Sequence, residues 1–251
     1  MTFLGTGTST GVPVVACDCQ VCKSADPRDK RLRTSVLLQV DQQSIVIDCG
    51  PDFRHQMIHH NVSNLDAILF THEHRDHIGG LDDIRGFNYV LNKPIEVFAS
   101  TNVIEAIHSA FPYIKAGTRY FGAPQINFHE ISKSPFLLND IQIIPIQVMH
   151  DTLSVFGYRL GDLTYITDAS FISEEEKAKI QGCKVLIINA LRNSKHISHY
   201  CLQEALEIIE QLGPEKAYLT HMSHFIGLHE QVEKKLPPKV KLAYDGLKVK
   251  V

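Results

Sequence analysis

The stretch "DAILFTHEHRDHIGG", Asp66–Gly80, decides the reading of this chain. It begins as an apolar, strand-like run and empties directly into a loop holding His72, His74, Asp76 and His77. Three imidazoles and a carboxylate within six residues suit a divalent metal of zinc type. In an extended segment His72 and His74 point to the same side. Gly79-Gly80 is expected to let the backbone turn tightly after them. The zinc-protease pattern His-Glu-x-x-His does not apply, because it needs a histidine where Asp76 stands. One ion does not easily take four ligands from one loop and keep an open position. Two ions sharing the cluster are therefore expected, with further ligands elsewhere.

Working outward, the same pattern recurs at successive strand ends. "IQIIPIQVMHD" ends in His150, "LTYITDAS" in Asp168 and "KAYLTHMSH" in His221. Upstream, "SIVIDCG" ends in Asp48 and pairs with "TSVLLQV" across Asp41-Gln42-Gln43. "MTFLGTG" and "KVLIINAL" read as further strands, and Pro145 marks an edge or a bulge. A hairpin is expected across Gly161-Asp162, and a second one from "VKLAYDG" and "LKVKV" at the end of the chain. Helices are expected in three places. "TNVIEAIHSAF" has Ile104, Ile107 and Phe111 at helical spacing. "SEEEKAKI" opens with a Ser173/Glu176 capping box. "SHYCLQEALEIIEQLG" has Leu202, Ala205, Ile209 and Leu212 on one face and Gly213 as its stop. "GTGTSTG" lacks the Gly-Lys-Ser/Thr of a P-loop, so its glycines are expected in a tight turn beside the site.

The remaining bounds are broad. At 251 residues, 44% hydrophobic and 21% charged, the chain reads as one α/β domain, 1–251, without linker or repeat. No apolar run approaches the ~20 residues of a membrane helix. The start "MTFLGTGTST" lacks a basic n-region, which points to a cytoplasmic protein. Six cysteines in that compartment are thiols or ligands, not disulfides. A net charge of −3 argues against a nucleic-acid binder working through a basic surface.

His72-x-His74-x-Asp76-His77 followed by His150, Asp168 and His221 resembles the metallo-β-lactamase superfamily of metallohydrolases. The resemblance implies a four-layer αββα sandwich with a di-metal site at the edge of the two sheets. It implies that His72, His74 and His150 hold one ion and that Asp76, His77 and His221 hold the other, with Asp168 bridging. Asp48 would orient the His loop without being a ligand, and counts with Asp76 among the catalytic residues. Two close cations, zinc or manganese, would acidify a bridging water to a hydroxide nucleophile and stabilise charge on the attacked and leaving oxygens.

Two features narrow the branch. His199, a turn before the Leu202–Leu212 helix, resembles the extra histidine of the phosphodiesterase branches and would protonate a leaving alkoxide, with His196 as its rival. "CDCQVC" places Cys17, Cys19 and Cys22 too close for comfortable pairing, and with His224 as the candidate fourth ligand they would make a structural Cys₃His zinc site in a loop at about 14–24. Together with "IDCGPDFRHQ" these motifs look like the PhnP-type cyclic-phosphate phosphodiesterases. A small, cyclic or open phosphodiester substrate is then expected, with no membrane partner, and the resemblance suggests a homodimer. The alternatives are a tRNA 3′-processing endoribonuclease, a lactone or thioester hydrolase of the same fold, and a non-enzymatic metal-binding module.

Overall fold

Strands that read as unbroken apolar runs are those covered on both faces, and that demand sets the architecture. The computed structural model describes residues 1–114 and 122–251. Strands β1 (Thr2–Gly5), β2 (Ser35–Val40), β3 (Gln43–Ile47), β4 (Ala67–Leu69), β5 (Ile95–Ala99) and β6 (Ile126–Glu130) form one sheet in chain order. A second sheet holds β7 (Phe136–Leu138), β8 (Ile141–His150), β9 (Leu153–Leu160), β10 (Leu163–Tyr165), β11 (Val185–Asn189), β12 (Lys216–Thr220) and β13 (Val240–Leu242), again with chain neighbours adjacent. The first sheet is antiparallel from β1 to β3 and parallel from β3 to β6. The second is antiparallel from β7 to β10 and parallel from β10 to β13.

The sheets face each other across a core that includes Ile45, Ile47 and Leu69 on one side and Ile143, Tyr165 and Ile187 on the other. The intervening residues turn outward. Val46, Ile68 and Val97 lie under the helices Phe53–His59 and Thr101–Ala110. Leu186, Ile188 and Leu219 lie under Glu174–Ile180 and Leu202–Leu212. The layers are αββα, as the resemblance implies. Among the described residues no helix is long and apolar enough to cross a membrane.

Several local expectations change. Asp41 and Gln42 turn the β2–β3 hairpin with φ of 46° and 68°, the two-residue turn that matches strand twist. Pro145 keeps regular register with Tyr158 on β9, while β7 pairs only with residues 141–143 of β8, so the proline marks an edge and not a bulge. The capping box is half made: the Ser173 side chain accepts from Glu176 N, but the Glu176 carboxylate caps Gln147 N at 2.9 Å instead. The expected C-terminal hairpin does not form. β13 pairs parallel with β12, and the chain then crosses to the first sheet, where Phe3 N donates to Leu247 O and Val249 N to Met1 O. Leaving β13 toward β1 covers Phe3 with Ala243 and Val249, burial that a local hairpin cannot give.

Gly79-Gly80 also acts differently from expectation. Both have ordinary negative φ, −68° and −98°. What they provide is closeness: a Cβ on Gly80 would lie 2.0 Å from Gly50 O, and one on Gly50 would lie 2.0 Å from Asp76 O. The turn after β3 and the His loop thus pack backbone against backbone, with Cys49 N donating to His77 O and Gly80 N to Cys49 O.

Candidate metal centre

The C-terminal ends of β3, β4, β8, β10 and β12 meet at one edge of the sandwich. Asp48 follows β3 in a left-handed conformation, φ 63°, and is buried. Its carboxylate accepts from Thr71 N at 2.9 Å, from the Thr71 hydroxyl, and from His77 Nδ1 at 2.7 Å. A carboxylate can only accept in that last bond, so Nδ1 carries the proton and Nε2 of His77 is turned toward the centre. There it faces Asp76 Oδ2 at 3.3 Å and Asp168 Oδ2 at 3.4 Å without making a hydrogen bond.

The other donors arrive the same way. Asp168 lies three residues beyond β10 and His221 directly follows β12, with φ of 56° and 55°. His221 Nε2 lies 3.2 Å from Asp168 Oδ1, and neither of its ring nitrogens has a hydrogen-bond partner among the described residues. His150 donates from Nδ1 to Ser198 O at 2.7 Å, leaving its Nε2 free. His72, His74 and His150 bring ligand atoms within 4.8 Å of one another; so do Asp76, His77 and His221. Asp168 stands in a third group with His72 and His77, and in a fourth with His150 and His199. Asp168 is therefore the carboxylate common to both halves of the centre.

The electrostatics call for cations. Burial opposes charge on His77, yet Asp48, Asp168 and Asp76 around it outweigh that and raise it well above the ordinary imidazole range. Burial likewise opposes the charge of Asp168, but His221 and His77 hold it well below the carboxylate range. Burial drives His72 and His74 down, which leaves neutral imidazoles, the form that ligates metal. Buried nitrogens without partners, set against clustered carboxylates, are costly unless an ion satisfies them. The residues fit a pair of divalent cations.

His199 Nε2 lies 3.1 Å from Asp168 Oδ1, inside the same constellation, and burial pushes its pKa down to about 4 against the pull of Asp168. His196 stands behind it, Nδ1 to Nδ1 at 3.3 Å, and is further from the donors.

The cysteine loop reaches the same wall. Cys17, Cys19 and Cys22 place Sγ atoms 3.3, 3.4 and 3.4 Å from His224 Nδ1. A tetrahedral zinc with its usual bond lengths sets sulfur–nitrogen edges of about 3.5 Å, so the group fits one ion. The Cys22 N–H donates to Cys19 Sγ and lowers that thiol to about 6, whereas at Cys22 burial outweighs the N–H of Val14 and pushes the thiol up to about 11, an opposition that a bound cation would relieve. The glycine loop runs alongside, with Met222 N donating to Thr6 O and Thr8 N to Met222 O, next to His221.

Three supporting residues were not foreseen. Thr71, Thr167 and Asn189 hold donors from behind: Thr167 donates to Asp168 Oδ2 at 2.6 Å, and Asn189 brackets Ala169, accepting from its N–H at 2.8 Å and donating to its carbonyl at 3.0 Å. A signal for the threonines exists, since "TH", "TD" and "TH" recur at 71–72, 167–168 and 220–221. Asn189 has no such signal.

A binuclear metal centre at the edge of an αββα sandwich is what this fold and these donors define. The beta-lactamase superfamily domain family matches residues 43–222. A solved structure described as a new diphosphatase from the PhnP family superposes with a TM-score of 0.93 at 37% identity, covering 100% of this chain and 96% of that one. The chain is also 41% identical over 248 residues to an octanoyltransferase of Porphyromonas gingivalis, covering 98% of this chain and 50% of that protein. It is 28% identical over 168 residues to a ribonuclease Z of Nostoc sp., covering 64% and 46%. The chain thus spans about half the length of the curated relatives it matches. It belongs to the β-lactamase superfamily and, within it, to the PhnP family.

Proposed function

We propose that this chain is a phosphodiesterase acting on a small phosphodiester, cyclic or open, with the two ions held by His72/His74/His150 and Asp76/His77/His221 and joined by Asp168. The observation that carries the reading is His199 Nε2, 3.1 Å from that shared carboxylate. An alkoxide leaving a phosphodiester needs a proton, and His199, whose Nε2–H faces Asp168, would take up a proton at Nδ1 and deliver the one on Nε2 to the leaving oxygen. Two divalent cations, zinc or manganese, would acidify water at the centre and neutralise charge on the phosphoryl oxygens. Asp48 and Thr71 keep His77 Nε2 aimed inward, and Asn189 and Thr167 keep Asp168 in place. The description of its 37% identical relative as a diphosphatase supports phosphoryl over carbonyl chemistry. Cys17, Cys19, Cys22 and His224 would hold a third, structural zinc that clamps the N-terminal loop to the wall of the site. Six unpaired cysteines support a reducing cytoplasm, and a homodimer is part of the reading.

Acyl thioester or lactone hydrolysis is the second reading. One observation favours it: the P. gingivalis relative bears the name octanoyltransferase. It ranks second because half of that protein lies outside the match and is free to carry the acyl transfer. The metal-loaded protein should be offered cyclic ribose phosphates, nucleoside 2′,3′-cyclic phosphates, bis(p-nitrophenyl) phosphate, a lactone, a thioester and pre-tRNA. Turnover of the small phosphodiesters is expected. Preference for the thioester or lactone would overturn the reading, and preference for pre-tRNA would move it to the processing nucleases. The −3 net charge disfavours that last outcome.

A further inference from the structure

Large apolar side chains are exposed at nine described positions, and four of them sit on the loops that carry the metal donors. Phe171 is 58% exposed, Ile197 78%, Phe225 63% and Val15 92%. Apolar residues scattered singly over a surface need no explanation, but these sit on loops that carry metal donors and are joined to one another by hydrogen bonds and ring contacts. Phe171 is tied to the β8 end, its carbonyl accepting from Met149 N, next to His150. The loop of Ile197 is tied to that end through the Ser198 carbonyl on His150, and to Asp168's neighbour through Tyr200 N on Ala169 O. Asn193 joins the same loop to the next, donating to the carbonyls of Phe225 and Ile226. The Phe225 ring lies 4.0 Å from that of His224, which meets the cysteine loop of Val15. Each loop therefore turns a His or Asp inward and an apolar side chain outward.

A phosphodiester seated at the metal centre would direct an ester substituent toward the loops that carry these side chains. We propose that the substrate is amphipathic: a phosphodiester with one alkyl or aryl substituent that lies against Phe171, Ile197 and Phe225. The proposal rests on the phosphodiesterase reading and specifies its substrate class. Burying methylenes against these side chains lowers KM, because the contact is made in the ground state as well as the transition state.

The test is a series of p-nitrophenyl alkyl phosphates, methyl to octyl, hydrolysed by the metal-loaded protein. For the wild type, KM should fall about threefold with each of the first few methylenes, with kcat nearly constant. In a Phe171→Ser/Ile197→Ser/Phe225→Ser variant that dependence should flatten, the octyl ester losing its advantage over the methyl ester. The Phe171→Ser/Ile197→Ser pair, which leaves the neighbour of His224 alone, should flatten it in part. Leu137→Ser, at an exposed position on β7, should leave the wild-type dependence intact. A KM independent of chain length, or a dependence that survives in both the triple and the double variant, overturns the proposal while the phosphodiesterase reading stands. Failure to turn over even the methyl and bis(p-nitrophenyl) esters overturns that reading, and this proposal with it.

Discussion

Asp48, Asp168 and His221 each leave a strand with φ between 55° and 63°. Side chains other than glycine adopt this conformation at a cost of about 1–2 kcal/mol, and three such residues meet at one centre. The kink is what turns a strand-end side chain off the sheet axis and into the space between the sheets. Asp48 shows how much follows from one such residue: it fixes the Thr71 backbone, the Thr71 hydroxyl and the His77 ring. Asp48→Asn should keep the left-handed turn, which asparagine tolerates, but weaken the aim of His77. The two exchangeable ions should then bind about 10–100-fold more weakly, measured by metal content after dialysis against graded chelator, while the third ion stays. His224→Ala should do the reverse, releasing one ion and opening residues 14–24 to protease without loss of the pair. Gly80→Ala is the steric counterpart. Its Cβ would meet Gly50 O at 2.0 Å, a backbone atom that cannot swing away. The expected destabilisation is about 3 kcal/mol or more, read as a fall of about 10 °C in Tm. The donors were legible in the sequence because His and Asp are conspicuous at the end of an apolar run. Thr71 and Thr167 are fainter, because threonine is an ordinary strand residue and only the recurring Thr-His and Thr-Asp pairs at 71–72, 167–168 and 220–221 mark them.

Among the elements, legibility followed the start signals. The Leu202–Leu212 helix has a capping box at Cys201/Glu204 and Gly213 at φ 64° after it, and its apolar face reads directly. The Phe53–His59 helix has none of this, since the carboxylate of Asp52 at its N-terminus is taken by Arg33, at 2.8 Å from the backbone N and 3.0 Å from the guanidinium. Arg85–Leu91 likewise continues straight from the Leu81–Ile84 turn without a side-chain cap. Both helices were missed for that reason. β11 carries the prediction at this scale. Its last residue, Asn189, is fully buried and binds both polar groups of the Ala169 backbone. Asn189→Leu would leave the buried Ala169 N–H unpaired, while the Ala169 carbonyl keeps Tyr200 N as a donor, at a cost of about 1–3 kcal/mol. If Asn189 also positions Asp168, the folded variant should bind the exchangeable pair more weakly at temperatures well below its Tm. A variant with lowered Tm but unchanged metal affinity would limit Asn189 to a structural part.

At the scale of the whole molecule the two sheets repeat one plan: antiparallel strands, then a parallel run. Asp48 and Asp168 follow β3 and β10, the first strand of each parallel run, in the same left-handed turn. The sequence shows no repeat because the likeness lies in strand order and end geometry, which many residues satisfy. The C-terminal crossing was hidden for a related reason: "LKVKV" has the alternation of any edge strand, and its partner, β1, is almost the whole chain away. Asp245 lies in that crossing and ties the halves together, accepting from Thr6 Oγ1 at 2.7 Å and from Leu32 N at 2.6 Å near the buried Arg31. Burial raises its pKa from 3.8 to about 6, against those hydrogen bonds and the charge of Arg31. The folded chain therefore holds a proton there that the unfolded chain has released between pH ~4 and ~6. Its contribution to stability is full below pH ~4 and lost as pH rises through ~6, about 3 kcal/mol in all. Asp245→Asn keeps an acceptor and cannot titrate. Relative to the wild type it should gain about that much between pH 4 and pH 7 in denaturant unfolding, and a difference that stays flat with pH would mean that Asp245 is ionised throughout.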